Sequence, residues 1–266
     1  MGSSSNSAAV WAGSDAGKSA AILISRMPAL RVILSILLLA GSARAQFLAS
    51  YQANSAEEFD AYLDAVQADG PAAVLVAAAR FEQRWPNSEL LAQVYDLQFR
   101  AFRSLGDAAG AARAGEKALE RAPGNLPVMA GMALIFANGT RDPARLARAE
   151  SYARRLLEEV EKFAVPRSIG PKQWERIRAG LESQGHAALG LVAFQRGEIR
   201  KATSELETAV GLAVEPDGSQ LYRLGLLYGL QGRREEAANM LRKAARLEEP
   251  GIRRLAEAEL EKLRDP

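Results

Sequence analysis

The sequence contains no cysteine and a single histidine, His186. Disulfides, thiolate metal sites and cysteine nucleophiles are thereby excluded, and one imidazole cannot build a histidine metal cluster. Aromatic residues make up only 6% of the 266 positions. Sheet sandwiches lean on aromatic and β-branched side chains, whereas the abundant alanine here suits closely packed helices. Charge of one sign is also missing, since the formal net charge is +2. Lys18, Arg26, Arg31 and Arg44, against Asp15 alone, lie in a segment expected to be removed, which leaves the remainder close to neutral. Such a balance gives no electrostatic case for nucleic acid. Hydrophobic residues at 48% can bury a sizeable core and argue against wholesale disorder.

Convergent chemistry is equally scarce. Glu57-Glu58, Glu158-Glu159, Glu235-Glu236 and Glu248-Glu249 are paired in sequence, but adjacent residues do not share a helix face, so they read as solvated surface. His186 has no second histidine or cysteine and reads as a partly buried packing residue. No Ser, His and Asp set can be assembled around it. The expectation is therefore no catalytic residue, no metal, no cofactor and no enzyme.

What is present is periodicity. In Gly218 to Leu247, Leu221, Leu224, Gly225 and Tyr228 stand at i, i+3, i+4 and i+7, one face of a helix. Ala237, Leu241 and Ala244 form the matching stripe of a second helix beyond Gly232. A glycine inside a helix costs about 1 kcal/mol relative to alanine, so Gly225 implies close approach by a neighbour. Moved back 35 residues, the pattern recurs: Leu189-Gly190 for Leu224-Gly225, Gly197 for Gly232, and Ala202, Leu206 and Ala209 for the second stripe. Self-similarity at this period means stacked units.

Leu-Gly, then an aromatic, then alanine, a bulky residue and alanine resembles the signature of the tetratricopeptide repeat. The resemblance is strongest over 218–248, weaker over 183–214 and partial upstream. It implies an all-α, right-handed α-α superhelix of about five helical hairpins with a C-terminal capping helix. It also implies a protein or peptide partner held on the concave side.

Residues 1–26 read as a leader outside the mature chain, consistent with translation starting at Met27. They hold Ala12 to Ser19, AGSDAGKS, which satisfies a relaxed phosphate-loop pattern. No strand feeds it, so a nucleotide-binding enzyme is only the remote alternative. Residues 27–45 read as a signal peptide: Arg31, the apolar run Val32 to Ala40, and small residues before cleavage after Ala45. The run is shorter than the roughly 20 residues of a membrane span. The expected product is periplasmic or secreted. After a linker, 46–54, divergent repeats occupy 55–162, starting at a capping box from Ser55 to Glu58. Residues 163–170 break the array, and 171–266 carry the two strong repeats and the cap. Phe99 falls where the repeat usually has a small residue, which predicts wider helix spacing there.

In repeat register, the concave side receives Gln93, Asp96, Arg100 and Arg103 from the second pair and Ala130, Leu134 and Asn138 from the third. The fourth gives Ala187, Leu191 and Phe194, and the fifth Tyr222, Leu226 and Leu230. Arg100 and Arg103 are expected to pair a partner's carboxylate, with Phe194, Tyr222 and Leu226 taking apolar side chains. The competing expectation is that the apolar residues only pack neighbouring helices, the cap among them. The basic and asparagine clamp with which some family members hold a peptide C-terminus is not reproduced. Two roles stay open, an adaptor using this groove and a structural or assembly subunit using the convex face or the ends.

Overall fold

A computed structural model describes residues 52–165, 169–247 and 250–263. The residues read as a leader and signal peptide, 1–45, and with them the 12–19 stretch, lie outside them. The described residues form helices and connecting turns, with no strand among them. The helices are α1 (Ala56–Gln67), α2 (Pro71–Arg84), α3 (Leu91–Ser104), α4 (Ala108–Arg121), α5 (Leu126–Ala137), α6 (Pro143–Lys162), α7 (Pro171–Gln195), α8 (Ile199–Leu212), α9 (Gly218–Leu230), α10 (Arg234–Arg246) and α11 (Pro250–Lys262). Among the described residues, consecutive helices pair as five hairpins, and α11 stands alone against α9 and α10. None of these helices is long and apolar enough to cross a membrane.

Each hairpin turns at a glycine of positive φ: Gly70, Gly106, Gly139, Gly197 and Gly232. In three of them the turn is closed identically. The amide of the residue after the glycine donates to a carbonyl five residues back, Asp107 to Phe102, Glu198 to Ala193 and Arg233 to Tyr228, each at 2.9 Å. That left-handed residue caps the first helix and reverses the chain in one step, a conformation any Cβ would strain. Starts are fixed by side chains: Ser55, Asp107, Asn125, Asp142 and Asp217 each accept a first-turn amide. At the first of these, Glu58 also reaches back, to the Asn54 amide at 2.6 Å, closing the capping box one residue early.

Packing between the paired helices is strict. A Cβ on Gly225 would lie 2.8 Å from Leu241 Cγ and 3.3 Å from the Ala237 carbonyl oxygen. A Cβ on Gly190 would meet Leu206 Cγ and the Ala202 oxygen at the same two distances. The notch therefore admits a leucine first and a backbone carbonyl second. Around Phe99 the arrangement is inverted. The Phe99 ring finds its room in two glycines, Gly115 of α4 and Gly131 of α5, where a Cβ would come within 3.0 Å of Cδ2 and 2.5 Å of Cζ respectively.

α7 exceeds a repeat helix. Its first half lays Ile177 and Leu181 into the core of the N-terminal pairs, and it packs on both helices of the third hairpin. His186, on α7, is half-buried, and its Nδ1 lies 2.7 Å from Glu205 on α8.

Candidate partner-binding groove

First helices α3, α5, α7 and α9 carry the residues expected to line the groove, and α5 packs directly on α7. At its N-terminal end Arg100 is already engaged: its Nη2 lies 2.9 Å from the Asp96 carboxylate, one turn back on α3. Exposed Arg103 lays its guanidinium 5.6 Å from the centre of the Phe99 ring, its Nη1 beside Gly131. One of the two expected cations is thus held by an acid of its own helix.

Toward the C-terminal end the surface becomes apolar. Phe194, Gly225, Leu226, Gly229, Leu230, Leu241, Glu259 and Leu263 bound an open hollow of about 280 Å3. Phe194 and Leu226 are half-buried, and Leu230 at its lip is 66% exposed. A second, much smaller dimple on the other side of Phe194 and Leu226 is walled by Leu191, Leu206, Leu227 and Arg223. Leu191 is only 5% exposed, so it supports that dimple from below and offers a partner little surface. Ala130 and Ala187 are buried for the same reason.

Tyr222 belongs to a different neighbourhood. It packs against the cluster of Leu221, Leu241, Ala244 and Ala256, as do Ile252 and Leu260 of the capping helix, and burial, reinforced by the charge of Glu259, pushes its phenol above the ordinary value. For Tyr222 the competing expectation, packing against the cap, describes the geometry. Phe194 packs against the core of the fourth and fifth pairs, and with Leu226 and Leu230 it also borders the hollow that Glu259 and Leu263 close from the cap side.

Asn138, the exposed C-cap of α5, is drawn into the groove by a residue that repeat register alone did not single out. Arg223 of α9 donates from Nη2 to Asn138 Oδ1 at 3.2 Å and from Nη1 to Ser219 Oγ at 2.6 Å. This links the third repeat to the fifth across the fourth. Burial pushes the Arg223 guanidinium below its ordinary pKa, against the opposing pull of Asp217 and Tyr222. No carboxylate lies within ion-pair distance of it among the described residues. The available signal was compositional: in GSQLYRLGLLYGL, Arg223 is the one charged residue.

No protein-family model matches the chain, and no curated protein does. Solved structures do. PilW, described as a widely conserved type IV pilus biogenesis factor, aligns over 75% of this chain and 81% of its own at 11% identity, with a TM-score of 0.50. The chain folds as a tetratricopeptide-repeat solenoid. TTC0263, a thermophilic TPR protein of Thermus thermophilus, is 23% identical over 76% of this chain and 99% of its own, with a TM-score of 0.47. BtubC of P. vanneervenii is 18% identical over 69% and 73%, at 0.49. At such identities the likeness concerns the fold of the solenoid and nothing of its partners.

Proposed function

We propose that the solenoid is a non-catalytic adaptor, exported after cleavage behind Ala45, that holds a segment of another protein in its concave groove within the periplasm or cell envelope. The observation that carries this reading is the hollow between Phe194, Leu226, Leu230 and Leu263. Apolar side chains at a repeat interface are normally covered by the next helix. Here the capping helix is in place and the hollow stays open, with Leu230 two-thirds exposed at its lip. Grooves of this kind take the apolar face of a helix or an extended segment.

Affinity capture from an envelope extract tests the reading. Wild-type protein is expected to retain a partner that Leu226→Asp loses, with helicity unchanged by circular dichroism. Identical captures from both would remove the groove from consideration. Arg100→Glu, at the N-terminal end, is expected to have the smaller effect because Asp96 already neutralises that cation.

A second reading, an assembly subunit of an envelope or secretion complex, draws on the opposite end. The second helix of the first hairpin, α2, shows Ala72, Ala73, Val76 and Ala79 to solvent, with Val76 53% exposed. A subunit would co-purify stoichiometrically with its complex and lose it on Val76→Glu, whereas an adaptor would keep its capture.

A further inference from the structure

We infer that the groove selects partners by an acidic side chain, with Arg223 as its reader and the Phe194–Leu226–Leu230 hollow taking the large apolar side chain one helical turn away from that acid. This rests on the adaptor reading and adds to it the chemistry of the partner.

Arginine is seldom buried without an acid beside it, because desolvating a guanidinium is costly and neutral acceptors repay it poorly. Arg223 is half-buried, and Asp217, whose charge acts on it, stays outside ion-pair distance. Its two hydrogen bonds go to neutral oxygens, Ser219 Oγ and Asn138 Oδ1. A guanidinium carries five N–H donors, so three remain for an incoming group. Other arginines across the solenoid are placed differently: Arg100 has Asp96, Arg148 has Glu116, Arg154 and Arg196 share Glu150, and Arg233 has Glu207 and Glu236. Arg223 walls the smaller dimple together with Phe194 and Leu226, and those two residues also line the larger hollow. The cation and the apolar seat are therefore contiguous.

Spacing and polarity define the occupant. Arg223 and Leu226 are one turn apart on α9, about 5–6 Å between Cβ atoms, which matches a Glu and a Leu at i and i+3 or i+4 of a docked helix. Glu259 stands at the far side of the hollow with Lys262 at 2.7 Å. Of the two charged residues lining these hollows, Glu259 is thus already paired and Arg223 is not, which puts the partner's acid at the Arg223 end. A carboxylate bound by two of the free donors would form the strong, charge-assisted kind of contact.

Three synthetic helical peptides test this against the full chain. The first is blocked at both ends and carries one Glu a turn before a Leu. The second has Gln for that Glu. The third is the Gln peptide with a free C-terminal carboxylate. Wild type is expected to bind the Glu peptide about tenfold more tightly than either of the others. Arg223→Met is expected to bind all three alike, at the strength of the Gln peptide, and to melt no lower than wild type, since an apolar side chain replaces a half-buried cation that has no ion pair. Arg223→Lys should keep part of the preference. Equal binding of the three peptides to wild type, or preference for the free C-terminus alone, would overturn the acidic-side-chain reader and leave the adaptor standing. A lower melting temperature in Arg223→Met with the peptide preference intact would make Arg223 a strut to Asn138 and likewise overturn it. Failure of all three to bind wild type would overturn the groove itself.

Discussion

The N-terminal and C-terminal hairpins reach the same shape by opposite packing. In the fourth and fifth pairs the first helix provides a glycine notch, Gly190 or Gly225, and the second helix fills it with Leu206 or Leu241. In the second pair the first helix provides the knob, Phe99, and its neighbours on both sides provide the notches, Gly115 and Gly131. Close packing constrains the sum of the facing volumes rather than which helix carries the bulk. A solenoid can therefore exchange large for small across an interface and keep its course, provided the exchange is made on both sides. The apparent departure at Phe99 is such an exchange.

The comparison is broken most severely at the knob. Phe99→Ala is expected to cost about 3–5 kcal/mol, since the ring is buried and its notches cannot collapse; denaturant unfolding followed by circular dichroism measures it. Gly131→Ala should be destabilising by about 1–3 kcal/mol in wild type. In the Phe99→Ala background the clash is gone, and the same change should become stabilising by up to about 1 kcal/mol from helix propensity. A cost that did not change sign would mean the two residues are not partners.

The equivalent test in the C-terminal pair should read smaller. Gly225→Ala is expected to cost about 1–2 kcal/mol net, because the clash with Leu241 Cγ at 2.8 Å outweighs the propensity gain. Leu241 is a flexible knob compared with a phenyl ring and gives way more readily. A gain in stability on Gly225→Ala would show that the notch is not tight.

The smallest effect concerns the joint between the halves, where Arg196 at the end of α7 meets Glu150 of α6 at 2.7 Å. Hydrogen bonds from Arg154 and Arg196 hold the Glu150 carboxyl below its ordinary value of 4.5. A depressed folded pKa means the stabilisation is complete above pH 4.5 and lost as pH falls through the lowered value. Arg196→Gln should therefore flatten the fall of Tm with acid below that pH. At neutral pH it should change stability by less than about 1 kcal/mol. An unaltered acid limb would show that Arg154 holds the carboxylate by itself.

Much of this was legible in the residues. The 35-residue recurrence of Leu-Gly, turn glycine and alanine-leucine-alanine placed the last two hairpins, and Ser55, Asp142-Pro143 and the turn glycines marked ends elsewhere. The apolar character of Phe194 and Leu226 likewise followed from register. The cations did not. Whether Arg100 or Arg223 is free to meet a carboxylate depends on what each already touches, and Asp96 settles the first. Arg223 differs because the curve of the array brings Asn138, 85 positions away, within reach of it. Periodicity within one repeat carries no information about a contact that skips a repeat.

The sequence by itself determined the helices, their pairing and the order of stacking, because these follow from local rules: apolar spacing along a helix, caps, and glycine at positive φ. The tertiary structure decided which side chains remain available. Leu191 is covered, Leu230 is left open, and Arg223 is half-buried and reached by Asn138 of the third repeat, with no ion pair. Each of these outcomes depends on how successive hairpins are rotated against one another, and that rotation is fixed by the summed packing of facing surfaces rather than by any single stretch of chain.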